Sequence, residues 1–174
     1  MNRASSFLAI DNKNELKNKL TNWLLEEGVT VTQLPDENSE FRLQVTYGYI
    51  IDVVKLKGVP RLVSTARLSY ADENSQKALS KLSKKEKTKL GYDMQNELTK
   101  FPVEYLINPY RTFDKFESVD FHHHVYVEDL TKTAFMYSID TIRRVMICFS
   151  GIFNSRLDIE ANIPKTSDNK AGVA

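Results

Sequence analysis

Between residues 29 and 70 the chain carries four short stretches of strand pattern, and the segments joining them are only a few residues long. Val29 to Leu34 is the first, closed by the turn residues Pro35-Asp36-Glu37-Asn38. Phe41, Leu43, Val45 and Tyr47 then alternate with polar neighbours, the pattern of a strand with one buried face. Ile50 to Leu56 is more continuously apolar, Lys57-Gly58-Val59-Pro60 supplies turn chemistry, and Arg61 to Tyr70 resumes the alternation. Parallel neighbours need a crossover of a dozen or more residues. None of these connections is that long, so the four stretches must form an antiparallel meander.

Helical periodicity brackets the meander. Asn12, with Glu15 three residues on, reads as a capping box opening a first helix. Leu16, Leu20, Trp23 and Leu24 fall on one stripe, and Gly28 stands where a left-handed residue ends a helix. A second helical region runs from about residue 74 to 101, and Ser83 with Glu86 marks a fresh start inside it. Leu90, Met94, Leu98 and Phe101 form its buried stripe, and Pro102 prevents continuation. Gly91 within it costs about 1 kcal/mol relative to alanine, with no reason visible in the sequence.

Two further strands are expected at Val103 to Asn108 and Phe116 to Glu128, then a last helix from Asp129 or Thr131 to about Asn154. The order is α-β-β-β-β-α-β-β-α. Segregated runs of this kind predict an α+β fold, an antiparallel sheet with helices packed on one face. Residues 1–163 are expected to form a single domain, and Pro164 to Ala174, polar and small, a flexible tail.

Composition excludes several classes of function. Net charge is only +1, hydrophobic residues are 41% and charged residues 27%, so the chain is neither disordered nor globally basic. Cys148 is the single cysteine, which rules out an intramolecular disulfide and a multi-cysteine zinc site. The first ten residues are too short and too weakly apolar for a signal peptide. The longest strongly apolar run, Val145 to Phe149, is far short of a membrane span. A cytoplasmic location follows as the expectation.

The glycines stand far apart, at 28, 48, 58, 91, 151 and 172, so no dinucleotide fingerprint, phosphate loop or Gly-x-Ser-x-Gly elbow is present. No catalytic or cofactor-binding residue is expected. His122-His123-His124 is the conspicuous local feature. On a strand His122 and His124 share one face and His123 takes the other, the parity of Val119, Phe121, Val125 and Val127. All three rings therefore cannot converge on one metal. His122 and His124 are candidates for half a site that needs a further ligand, and two solvent-facing imidazoles are the plainer expectation. Cys148 lies in an apolar helical run, the surroundings of an inert thiol. Lys77, Lys81, Lys84, Lys85, Lys87 and Lys89 form the one basic cluster, with Glu86 the only acid among them. No Arg-aromatic stacking platform accompanies it, so a solvated helix face is the expectation and a nucleic-acid role an alternative.

The last helix carries two apolar lines. Phe135, Ile139, Ile142, Met146, Phe149 and Phe153 form the stripe for the sheet. Ala134, Thr141, Val145, Cys148 and Ile152 form a second line, about 110° around the helix at 100° per residue. That line must meet either another helix of the same domain or a partner subunit.

The element order, with Leu82-Ser83-Lys84-Lys85-Glu86 opening one helix and Val125-Tyr126-Val127-Glu128-Asp129-Leu130-Thr131-Lys132 leading into another, resembles the type III secretion chaperones and their uncharacterised relatives. Among those relatives it resembles in particular a family of small archaeal and bacterial proteins of unknown function. The resemblance spans about Asn12 to Asn154 and implies a chaperone-like fold and a homodimer, with no catalytic residue. The reading is a non-enzymatic protein-interaction or chaperone-like module, homodimeric, with no cofactor, no membrane contact and the second line as its interface. A nucleic-acid-associated protein using Lys77 to Lys89, or an enzyme with an unfamiliar site near His122 and His124, are the alternatives.

Overall fold

Strand alternation sorts the side chains into two faces, and only one of them is apolar enough to need covering. The computed structural model describes residues 4–109 and 116–157, with the backbone alone for residues 4–13. The elements run α1 (Ala4–Glu26), β1 (Thr30–Leu34), β2 (Ser39–Thr46), β3 (Ile50–Leu56), β4 (Arg61–Ser69), α2 (Glu73–Lys81), α3 (Lys84–Leu98), β5 (Glu104–Asn108), β6 (Ser118–Tyr126) and α4 (Lys132–Leu157). The predicted α+β class and element order are those observed, with the middle helical region in two pieces. The tail from Pro164 to Ala174 lies outside the described residues.

The six strands form one antiparallel sheet in the order β1-β2-β3-β4-β6-β5. The meander holds for β1 to β4. The chain then leaves through α2 and α3, and β6 returns beside β4 while β5 takes the outer edge. Phe41, Leu43, Val45, Ile51, Val53, Leu62, Ala66, Val119 and Phe121 point to one face and are buried. Among the described residues, α4 and α1 meet that face. α4 lies on β3, β4 and β6, and α1, α2 and α3 each pack on α4.

The α4 stripe is as predicted: Phe135, Ile139, Ile142, Met146, Phe149 and Phe153 are all buried. At roughly 1.5–3 kcal/mol per large apolar side chain, these six contribute on the order of 10 kcal/mol to holding helix on sheet. Tyr70 and Phe116 close one end of the core, their rings 5.5 Å apart, with Phe153 3.9 Å from Tyr70. Gln76 on α2 donates to the carbonyls of Tyr70 (2.8 Å) and Phe116 (2.9 Å), tying two chain segments together. The Tyr70 hydroxyl is pushed up to about 12 by burial, so it stays protonated and donates to Ser150 at 3.3 Å.

Helix ends follow the sequence closely at three points. Gly28 has φ +70, and the N–H groups of Gly28 and Val29 return to the carbonyls of Leu25 and Leu24. A side chain at that φ costs roughly 1 kcal/mol, which is why glycine stands there. Ser83 and Glu86 form the reciprocal capping box of α3. Thr131 accepts from the Ala134 N–H at 3.1 Å and caps α4.

The start of α1 is a correction. The helix begins at Ala4, so Asn12 lies inside it instead of capping it. Residues 4–11 contain no glycine or proline, and alanine and leucine favour continuation over a stop at an isolated capping pattern. Among the described residues no helix is long and apolar enough to cross a membrane.

Candidate interaction face

The sheet face away from the helices is bare among the described residues, and its side chains stand in cross-strand rows. One row runs Leu34, Arg42, Val54, Val63 and His124. The next runs Thr32, Gln44, Asp52, Thr65, His122 and Glu104. Arg67, Asp120 and Leu106 form a third on the β4–β6–β5 side.

Charges pair within and between these rows. Arg42 meets Asp52 at 2.6 Å. Arg67 reaches Asp120 through Nε (2.5 Å) and a terminal nitrogen (2.9 Å), and Asn108 Nδ2 adds a third contact at 2.9 Å. The hydrogen-bonding guanidinium of Arg67 holds the Asp120 carboxyl below its ordinary value. The carboxylate therefore stays charged although its side chain is only 13% exposed.

The three histidines separate as alternation predicts. His122 and His124 lie on the bare face, and His123 faces the helices opposite Ser64, its ring 6.0 Å from that of Tyr137. His124 Nε2 sits 3.2 Å from Glu104 Oε2. Burial pushes His122 down from the ordinary imidazole value, with Asp120 opposing; burial also lowers His123. Among the described residues no three His, Cys, Asp or Glu side chains are placed to hold a metal ion.

Four buried side-chain atoms on this face have no hydrogen-bond partner among the described residues: Arg42 Nε, Asp52 Oδ1, Arg61 Nε and His124 Nδ1. Each such group costs roughly 1–3 kcal/mol unless something satisfies it. The same face exposes Ile50 (57%), Leu106 (42%) and Tyr126 (50%). Unpaired polar atoms and exposed apolar side chains thus share one surface. Sequence reasoning reached only the two histidines, because the rest of the face comes from strands whose polar residues look like ordinary solvated positions.

The second α4 line is placed otherwise than expected for an interface. Thr141 and Val145 are buried within this chain, at 4% and 0% exposure, while Ala134, Cys148 and Ile152 are half-buried. The cover is α3. Its Leu90, Gly91, Met94 and Leu98 are buried, and Arg156 of α4 pairs with Asp93 of α3 at 2.9 Å. Burial and the nearby Glu97 carboxylate raise the Cys148 thiol, so it is not an activated thiolate. Gly91 finds its setting here too, on the buried face of α3.

The basic cluster stays in solvent. Lys77, Lys81, Lys84, Lys85 and Lys89 are exposed and Lys87 is half-exposed, around the α2–α3 junction.

Comparison with known proteins agrees with the fold. A crystal structure of an uncharacterized protein from Methanothermobacter thermautotrophicus superposes with a TM-score of 0.74 at 20% identity, covering 81% of this chain and 98% of that one. The crystal structure of YbjN from E. coli gives a TM-score of 0.48 at 12% identity, covering 77% of this chain and 90% of that one. No curated protein matches the chain. The model of the uncharacterized conserved protein family DUF2299 matches residues 16–152, and the chain belongs to that family.

Proposed function

We propose that this protein is a non-enzymatic interaction module that pairs with a second copy of itself through the bare face of its sheet. The observation that carries the reading is the coincidence on that face of exposed Ile50, Leu106 and Tyr126 with four buried polar atoms that have no partner among the described residues. The charge there suits a second copy better than a charged ligand. Arg42, Arg61 and Arg67 are matched by Asp52, Glu104 and Asp120, so the face is a balanced mosaic. A two-fold interface sets one patch against itself, which requires such balance. Exclusion of water would strengthen each pair, and polar atoms of the second copy would meet the unpartnered ones. The half-buried Cys148, the single cysteine of the chain, suits a reducing compartment, and we place the module in the cytoplasm.

Leu106→Asp and Tyr126→Asp test this. Both side chains are exposed, so neither change injects charge into the chain's own core. Light scattering is expected to give twice the chain mass for the unaltered protein and a single-chain mass for the variants, with unaltered melting. Variants that keep the full double mass would overturn the reading.

A further inference from the structure

The near-neutral total charge of this chain conceals a strong separation. Residues 77–89 hold six lysines and one glutamate, a formal +5, so with a total of +1 the rest of the chain carries −4. Among the described residues, no lysine of this segment takes part in an ion pair. Glu86 does not offset them by reaching outward, because its carboxylate accepts the Ser83 N–H at 2.7 Å. Nearby Asp93 and Glu97 are taken by Arg156 and Lys100. Five of the six lysines are exposed, clustered where the end of α2 meets the start of α3.

An aromatic ring completes the surface. Tyr92 is 62% exposed, among the most exposed large apolar side chains of the described chain. It follows Lys89 by three residues and Lys85 by seven, so all three share one face of α3. Sequence reasoning found no stacking platform beside the lysines, because tyrosine at that position could equally have been core.

We propose that the α2–α3 surface binds single-stranded nucleic acid, with backbone phosphates on Lys77, Lys81, Lys84, Lys85 and Lys89 and one base stacked on Tyr92. The lysines supply non-directional attraction to successive phosphates, and each phosphate neutralised releases condensed counterions. The ring selects the single strand, since only an unstacked base offers it a face. An acidic protein segment would use the lysines and leave Tyr92 idle. The surface lies on the helical layer, away from the bare sheet face, so its test stands apart from that of self-pairing.

The experiment is fluorescence anisotropy with a labelled thymidine oligonucleotide, its duplex, and polyglutamate, over a range of salt. The single strand is expected to bind more tightly than either competitor. With five phosphate contacts, log affinity should fall against log salt with a slope of about −3.5. Tyr92→Ala should weaken the oligonucleotide about tenfold and leave polyglutamate unchanged. A Lys84→Glu, Lys85→Glu, Lys89→Glu variant should abolish both, with a native melt confirming the fold. Equal binding of polyglutamate and oligonucleotide, indifferent to Tyr92→Ala, would overturn the proposal in favour of an acidic protein partner. Absence of binding at low salt would overturn it outright.

Discussion

Ser138 on α4 donates its hydroxyl to Ser64 on β4 at 2.7 Å, and both residues are buried in the seam between helix and sheet. Two small polar residues in such a place are tolerable only as a pair. Ser138→Ala removes the donor and leaves the Ser64 hydroxyl stranded, with an expected cost of about 1–2 kcal/mol. Replacing both by alanine should restore most of that, because no polar atom is then left unsatisfied. Denaturant melts of the two singles and the double check it. A double variant weaker than the sum of the singles would contradict the pairing.

Arg67 and Asp120 form the corresponding pair on the bare face, at the centre of an arrangement that includes Asn108. Arg67 is 65% exposed, so solvent screens its share, and the coupling expected from a double-mutant cycle is about 1 kcal/mol. The sign with pH follows from the lowered Asp120 carboxyl. Its contribution is present above the ordinary value of 3.8 and is lost as pH falls through the folded value. An acid melt of Arg67→Ala should therefore show a shallower loss than the unaltered chain.

His122 and His123 act nearer neutral pH. Burial, the leading cause in both, lowers them from the ordinary 6.5. The unfolded chain then binds more protons between the folded values and 6.5, so stability is greatest above 6.5 and declines as pH falls below it. The urea midpoint at about pH 8 should exceed that at about pH 5, and His122→Gln with His123→Gln should remove most of the difference. A midpoint that rises on acidification would contradict this.

Val145→Glu and Ile147→Glu separate core from surface on one helix. Val145 is fully buried, so a carboxylate there should cost on the order of 4 kcal/mol. Ile147 is 48% exposed, and the same change should stay within about 0.5 kcal/mol. Equal effects at the two positions would mean that Val145 is not buried within the chain.

Much of the fold was legible because its cues are local. Strand alternation from Phe41 to Tyr70, the Ser83–Glu86 box, Gly28 and the α4 stripe each depend on a few neighbouring residues. What escaped depends on distant ones. That Val145 is buried within the chain follows from how the other helices cross α4, which no single helix's periodicity encodes. The placement of β6 beside β4, with β5 outside, likewise rests on long-range pairing. At the candidate face the parity of His122 and His124 could be read. The partnerless Nε of Arg42 and Arg61 and Oδ1 of Asp52 could not, since each residue looks like a routine solvated strand position until the rows are assembled. Exposure of Tyr92 was illegible for the same reason.

Nitroxide labels on the bare face test the central claim most directly. Thr65 lies mid-sheet in the row of Asp52 and His122, and Cys148→Ala removes the native thiol. A label at Thr65→Cys in that background should report a label on a second copy across stacked sheets, whose backbones lie about 10 Å apart. The account predicts a short inter-copy distance that vanishes when Leu106→Asp and Tyr126→Asp are added. A decay no different from that of randomly dispersed single chains would contradict it.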